Sequence, residues 1–138
     1  MSNTIDMQIM RYINLFESVS GVSTTNCFVY NNIVFFAVPK AMIFRAIGKN
    51  GENVKKIGEV FRKKIKVIEV REMKDARKFV EDVVEPVSFT NFEIRNNNAI
   101  LNAGKQSKAA LIGRNRTREQ ELEDILKRFF GIEELVIL

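Results

Sequence analysis

Histidine is absent from the 138 residues. That removes imidazole acid–base chemistry, Ser-His-Asp and Cys-His nucleophile activation, and histidine-ligated metal sites together. There is one cysteine, Cys27. A single thiol excludes an intramolecular disulfide, leaves no thiolate cluster for a metal, and points to a reducing compartment. Its expected role is that of a small buried side chain. No stretch approaches the ~18 consecutive apolar residues of a membrane span. No basic segment followed by an apolar block opens the chain, so no secretory signal is expected and the expected location is cytoplasmic. Carboxylates are interleaved with lysine and arginine in helix-patterned segments, where a solvated charged face is the default. No catalytic constellation can be assembled from these residues. The expectation is a protein that is not an enzyme, with no cofactor, no metal, no membrane association and no small-molecule substrate.

What is present is an ample apolar fraction, 46%, and a formal net charge of +5. The length allows one medium domain or two small ones. The charge is unevenly placed. Between residues 40 and 66, nine basic side chains (Lys40, Arg45, Lys49, Lys55, Lys56, Arg62, Lys63, Lys64, Lys66) face only Glu52 and Glu59. Residues 67–93 are net acidic. A concentrated positive surplus is the footprint of a polyanion binder.

That surplus surrounds Gly48-Lys49-Asn50-Gly51. An apolar run (Met42, Ile43, Phe44, Ile47) precedes it, and a helix-patterned segment with Val54, Ile57 and Phe61 follows. Glycine permits positive φ and close approach of another backbone. A Gly-x-x-Gly link between two short helices can therefore face a phosphate chain. The second helix then directs its N-terminal N–H groups at the same place. Lys49 adds a charge and Asn50 a donor. Taken alone, the four residues read equally well as a helix-turn-helix corner with glycine as a C-cap.

The chain reads in order as follows. Residues 2–18 form an amphipathic helix with Ile5, Ile9, Ile13 and Phe16 on one stripe, capped by Ser2 or Asn3 and ended at Ser20-Gly21. Strands at 23–30 and 33–38 flank Asn31-Asn32, a pair suited to a tight turn with positive φ. Pro39 opens a short helix over 40–47. A longer helix over 52–64 and a strand over 66–70 follow. Gly58 costs that helix about 1 kcal/mol against alanine, for which close packing on the sheet is the expected reason. A helix over 74–84 buries Ala76, Phe79 or Val80, and Val83, and stops before Pro86. Strands at 87–95 and 99–101 flank Asn96-Asn97-Asn98. Then come a short helix over 105–112, a loop at 113–116, a helix over 117–130 with Leu122, Ile125, Leu126 and Phe129 inward, Gly131 as its C′ residue, and a strand over 134–138.

The two halves repeat one order of elements. At an offset of 65, Gly48 falls on Gly113, Asn31 on Asn96, Asn32 on Asn97, Lys40 on Lys105, Ile47 on Ile112, Asn50 on Asn115 and Glu69 on Glu134, without a gap. The identities gather at turn and loop, where backbone geometry is most demanding. This is an internal duplication with its boundary near residues 71–75. A chance Gly-x-x-Gly does not bring a register-matched second copy of its surroundings.

The helix, strand, strand, helix, Gly-x-x-Gly, helix, strand order, twice in tandem, resembles a pair of type II KH domains. Ala46-Ile47-Gly48-Lys49-Asn50-Gly51-Glu52-Asn53-Val54-Lys55 and Phe130-Gly131-Ile132-Glu133-Glu134-Leu135-Val136-Ile137 carry the resemblance, which extends to the short archaeal NusA-like proteins over essentially the whole chain. It implies an α+β fold of two KH domains, 1–72 and 73–138, each a three-stranded sheet with helices on one face. It implies single-stranded RNA binding in transcription termination, antitermination or elongation, with the transcription elongation complex as a partner. On this resemblance Gly48, Lys49, Asn50 and Gly51 form the first clamp, with Lys55 beside it. In the second, Gly113 matches, but Arg116 stands where the second glycine belongs. Its Cβ makes positive φ and close approach less available. Arg114, Arg116 and Arg118 then hold phosphates through side chains, with Gly113 and Asn115 in the same RNA-binding set, or the second domain is structural. Two further readings stay open: an RNA-binding factor of ribosome assembly or translation, and a duplex-DNA binder using residues 40–64 as a helix-turn-helix. No aromatic ring is expected at the loop, because the nearest phenylalanines sit in core-patterned positions.

Overall fold

A computed structural model describes residues 6–138. The chain divides into two compact units, the second running from Arg71 to Leu138. Each is a three-stranded sheet with helices packed on it, in an α+β arrangement.

The first unit begins with α1 (Met7–Ser20). Ser2, Asn3 and Ile5, expected to cap and stripe this helix, fall outside the described residues. Within them, Asp6 is the N-cap, its carboxylate accepting the Ile9 N–H at 2.8 Å. Gly21, at φ 74°, closes the other end. Tyr12, Ile13 and Phe16 are the buried face. The hairpin of β1 (Cys27–Tyr30) and β2 (Ile33–Val38) turns on Asn31 and Asn32, both at positive φ (52° and 63°). That is the requirement of a two-residue type I′ turn, and asparagine meets it at low steric cost. After α2 (Ile43–Ile47) and α3 (Glu52–Phe61), strand β3 (Lys64–Glu69) returns parallel to β2, giving the order β1-β2-β3.

Central β2 is apolar throughout because both of its faces are buried. Val34, Phe36 and Val38 join Tyr12, Ile13, Phe16, Ala46, Ile57 and Ile65 in one core. Phe16 stacks on Phe36 with centroids 4.1 Å apart. On the opposite face Phe28 stacks on Phe35. Cys27 is buried, as expected. Helix α3 ends three residues short of the expected 64, because Arg62 takes a left-handed C-cap conformation at φ 54°. Gly58 shows why it is glycine: a Cβ there would meet the Lys63 carbonyl oxygen at 2.9 Å.

In the second unit α4 (Ala76–Val84) buries Ala76, Val83, and both Phe79 and Val80. The hairpin of β4 (Asn91–Arg95) and β5 (Asn98–Asn102) turns on Asn96 and Asn97 at φ 53° and 65°. Strand β4 is shorter than the expected 87–95. Helices α5 (Lys105–Ile112) and α6 (Thr117–Phe130) lead to β6 (Glu134–Ile137), parallel to β5. Phe130 rather than Phe129 is the buried terminal aromatic of α6, edge-on to Phe79 at 5.2 Å.

The gapless repeat fails at its last strand. Ile33 pairs with Lys64 in the first sheet, and Asn98 with Glu134 in the second. Glu134 therefore corresponds to Lys64, not Glu69. The cause is helix length: α6 has 14 residues where α3 has 10, so the return strand starts later while entering the sheet at the same register.

Candidate nucleic-acid interface

Two loops, one per unit, carry the residues singled out from sequence. In the first, the Gly48 N–H donates to the Phe44 carbonyl at 2.9 Å, ending α2, and the Gly51 N–H donates to the Gly48 carbonyl at 3.0 Å. Gly48 lies at φ 84°, ψ 165°, Asn50 at φ 55°, ψ 26°, and Gly51 at φ 73°, ψ 19°. The chain thus makes one sharp reversal and enters α3 directly. No side chain caps α3; the Gly51 N–H is taken by the Gly48 carbonyl and the Glu52 N–H by the Lys49 carbonyl, so the turn runs straight into the helix. Such an end, at the positive pole of the helix, attracts an anion.

The two glycines serve different purposes. At Gly48 a Cβ would lie 2.8 Å from the Asn53 side chain and 3.0 Å from its backbone nitrogen. Its φ/ψ pair also falls in a region essentially closed to other residues. Asn53 is held there by its own bond, Nδ2 donating to the Arg45 carbonyl at 3.1 Å. It ties the last turn of α2 to the first turn of α3 and makes Gly48 indispensable. At Gly51 a Cβ would meet only a Val54 methyl, at 3.8 Å. The space beside Gly51 is open, which leaves the loop backbone approachable from solvent.

Around the loop Lys49, Asn50, Lys55 and Lys56 are exposed. Among the described residues, Lys49, Lys55 and Lys56 form no salt bridge. Their charge is available to an external anion.

The second loop repeats this backbone. The Gly113 N–H donates to the Ala109 carbonyl at 2.9 Å, and the Arg116 N–H to the Gly113 carbonyl at 3.1 Å. Gly113 lies at φ 76°, ψ 171°, Asn115 at φ 56°, ψ 28°, and Arg116 at φ 61°, ψ 23°. Arg116 thus takes the positive φ that its Cβ makes less available. The hydrogen bonds on either side hold the conformation, and the position equivalent to Arg116 in the first loop, Gly51, has room for a Cβ. The electrostatics do differ. Arg116 Nε donates to Glu119 Oε1 at 2.7 Å, and Arg118 pairs with Glu121 at 3.0 Å. Arg114 is exposed, and the Thr117 hydroxyl donates to its carbonyl at 2.7 Å. Two of three arginines are thus engaged within the first turn of α6.

Sequence reasoning missed two residues here. Asn53 stands in the sequence as part of the motif, and only the structure makes it the bridge between the helices. Phe44, assigned to the core, is 90% exposed. The spacing held the signal: Ile43, Ala46 and Ile47 make an i, i+3, i+4 stripe that leaves Phe44 outside it. An exposed aromatic ring does stand in α2, one helical turn before the loop.

The KH domain family matches residues 11–87, a span that contains the whole first loop and the sheet beneath it. The chain is similar to a probable transcription termination protein NusA of Methanocaldococcus jannaschii, with 28% identity over 95% of this chain and 72% of the relative. A protein of the same description from Methanococcus vannielii is 29% identical over 99% of this chain and 78% of the relative. Among solved structures, the crystal structure of APE1850 superposes with a TM-score of 0.66, at 29% identity, covering 97% of this chain and 100% of that one.

Proposed function

This chain belongs to the KH domain family, and from that premise we propose that it is a single-stranded RNA-binding protein of the archaeal NusA-like kind, with two tandem type II KH domains, acting in transcription termination or antitermination. One observation carries the reading: the Gly48–Gly51 loop presents open backbone at Gly51 and the positive pole of α3 beside Lys49, Lys55 and Lys56, which form no salt bridge among the described residues. Single-stranded RNA offers a phosphate chain that can run along such a backbone while its bases turn inward. Lys49 and Lys55 neutralise phosphates as point charges. Bases lie between the loop helices and the sheet and are read at their edges. The second loop acts as a modified partner in which Gly113 and Asn115 keep the turn. Arg114 reaches phosphate freely, and Arg116 does so only after leaving Glu119. The similarity to proteins described as probable termination factors supports the transcriptional assignment, and the elongation complex is the partner it implies.

The test is a double replacement, Lys49→Asp with Asn50→Asp. It puts two carboxylates on the phosphate path without touching Gly48 or the core. Loss of single-stranded RNA binding with an unchanged unfolding midpoint is the expected result. Wild-type affinity in the double variant would remove the clamp assignment. Recovery of the tagged protein with ribosomal subunits instead of RNA polymerase would redirect the role to ribosome assembly or translation.

A further inference from the structure

Ten of the eleven phenylalanines are accounted for by ring partners. Phe16 pairs with Phe36, Phe28 with Phe35, Phe61 with Tyr12, Phe79 with Phe129 and Phe130, and Phe89 with Phe92. Phe44 is the exception. It has no ring partner among the described residues and is 90% exposed. It also stands at a specific place: its own carbonyl accepts the Gly48 N–H that ends α2. The ring is therefore one helical turn, about 5.4 Å of rise, before the loop. Arg45 turns elsewhere, its guanidinium lying against Gly21.

We propose that Phe44 is a stacking platform for one unpaired base of the RNA strand whose phosphates lie on the Gly48–Gly51 loop. The proposal rests on the RNA-binding reading above and adds a residue to it. Size decides between a base and a protein partner. A protein contact needs an apolar patch of several hundred Å². On this segment the only other large exposed apolar side chain is Met42, at 38%, and Lys40, Arg45 and Lys49 of the same segment are exposed. A lone ring on a basic segment is a poor protein hot spot. It is sufficient for a base, whose π face needs one aromatic surface and whose phosphates suit the cations. The second loop has no such platform. The residue whose carbonyl accepts the Gly113 N–H is Ala109, so the stacking contact belongs to the first loop alone.

The experiment uses the full chain and short unstructured RNA oligonucleotides of mixed sequence. Phe44→Ala is expected to weaken binding about 5- to 150-fold, the span of one base–aromatic contact. The slope of log affinity against log salt should not change, because no phosphate contact is lost. Phe44→Leu should not restore affinity, and Phe44→Trp should. The chain has no other tryptophan, so the emission of that variant reports this position alone and should be quenched by RNA. Wild-type affinity in Phe44→Ala, with binding still lost in the double-aspartate loop variant, would overturn the platform while leaving the clamp and would assign the ring to a protein contact. Full affinity in Phe44→Leu would also overturn it. Failure of the wild-type chain to bind RNA would remove both readings.

Discussion

Gly51 and Arg116 hold the same left-handed backbone conformation, φ 73°, ψ 19° and φ 61°, ψ 23°, at corresponding points of two loops with matching hydrogen bonds. Glycine at this point avoids a cost of about 1–2 kcal/mol, and the open space beside it accepts a side chain. The first glycine of each loop has no such latitude. Gly48 and Gly113 combine positive φ with extended ψ, and the helix that follows packs against them. The two-glycine motif therefore joins one steric requirement to one conformational preference, and only the second has been exchanged.

Gly48→Ala should destabilise the protein by about 3 kcal/mol or more, combining a Gly-only backbone region with overlap on Asn53. Gly51→Ala should cost about 1–2 kcal/mol. Urea unfolding midpoints of the two variants measure the difference. Equal losses would mean that Asn53 moves aside freely.

Arg116→Gly should stabilise the second unit by about 1 kcal/mol through relief of the left-handed strain. The Arg116–Glu119 pair lost in exchange is largely solvent-screened on the arginine side, 73% exposed, and offsets only a few tenths. A thermal midpoint that falls instead of rising would show that the pair, not the backbone, governs this position.

Salt dependence separates the cations. Lys49→Ala and Lys55→Ala should each flatten the slope of log affinity for single-stranded RNA by about 0.7, one phosphate contact apiece. In the second loop Arg114→Ala should flatten it more than Arg116→Ala, because Glu119 already neutralises Arg116. Titrations at several salt concentrations read both comparisons. An unchanged slope for Lys49→Ala would exclude it from the phosphate path.

Asn53 and Gly48 should be coupled. Asn53→Ala alone is expected to cost about 1 kcal/mol through the bond to the Arg45 carbonyl. In that background Gly48→Ala should cost less than in the wild type, since the Asn53 side-chain atoms at 2.8 Å are gone. A double-mutant cycle gives the interaction directly, and additive effects would place the Gly48 requirement in the backbone angles alone.

Where residue type governs geometry locally, the sequence by itself determined the outcome. The Asn31-Asn32 and Asn96-Asn97 turns, the Gly48 and Gly113 corners and the glycine end of α6 follow from which residues tolerate positive φ. The helices follow from apolar spacing. Three features were decided only by tertiary structure. Arg116 takes a conformation its own sterics disfavour, because hydrogen bonds on both sides hold the loop. β6 enters its sheet opposite Asn98 even though α6 is longer than α3, because strand register answers to the neighbouring strand and not to residue count. Phe44 is apolar and stands in an apolar run, yet lies outside the protein. Hydrophobicity states what a side chain prefers. Which side of a short helix meets the core is set by how that helix docks, and α2 docks through Ile43 and Ala46.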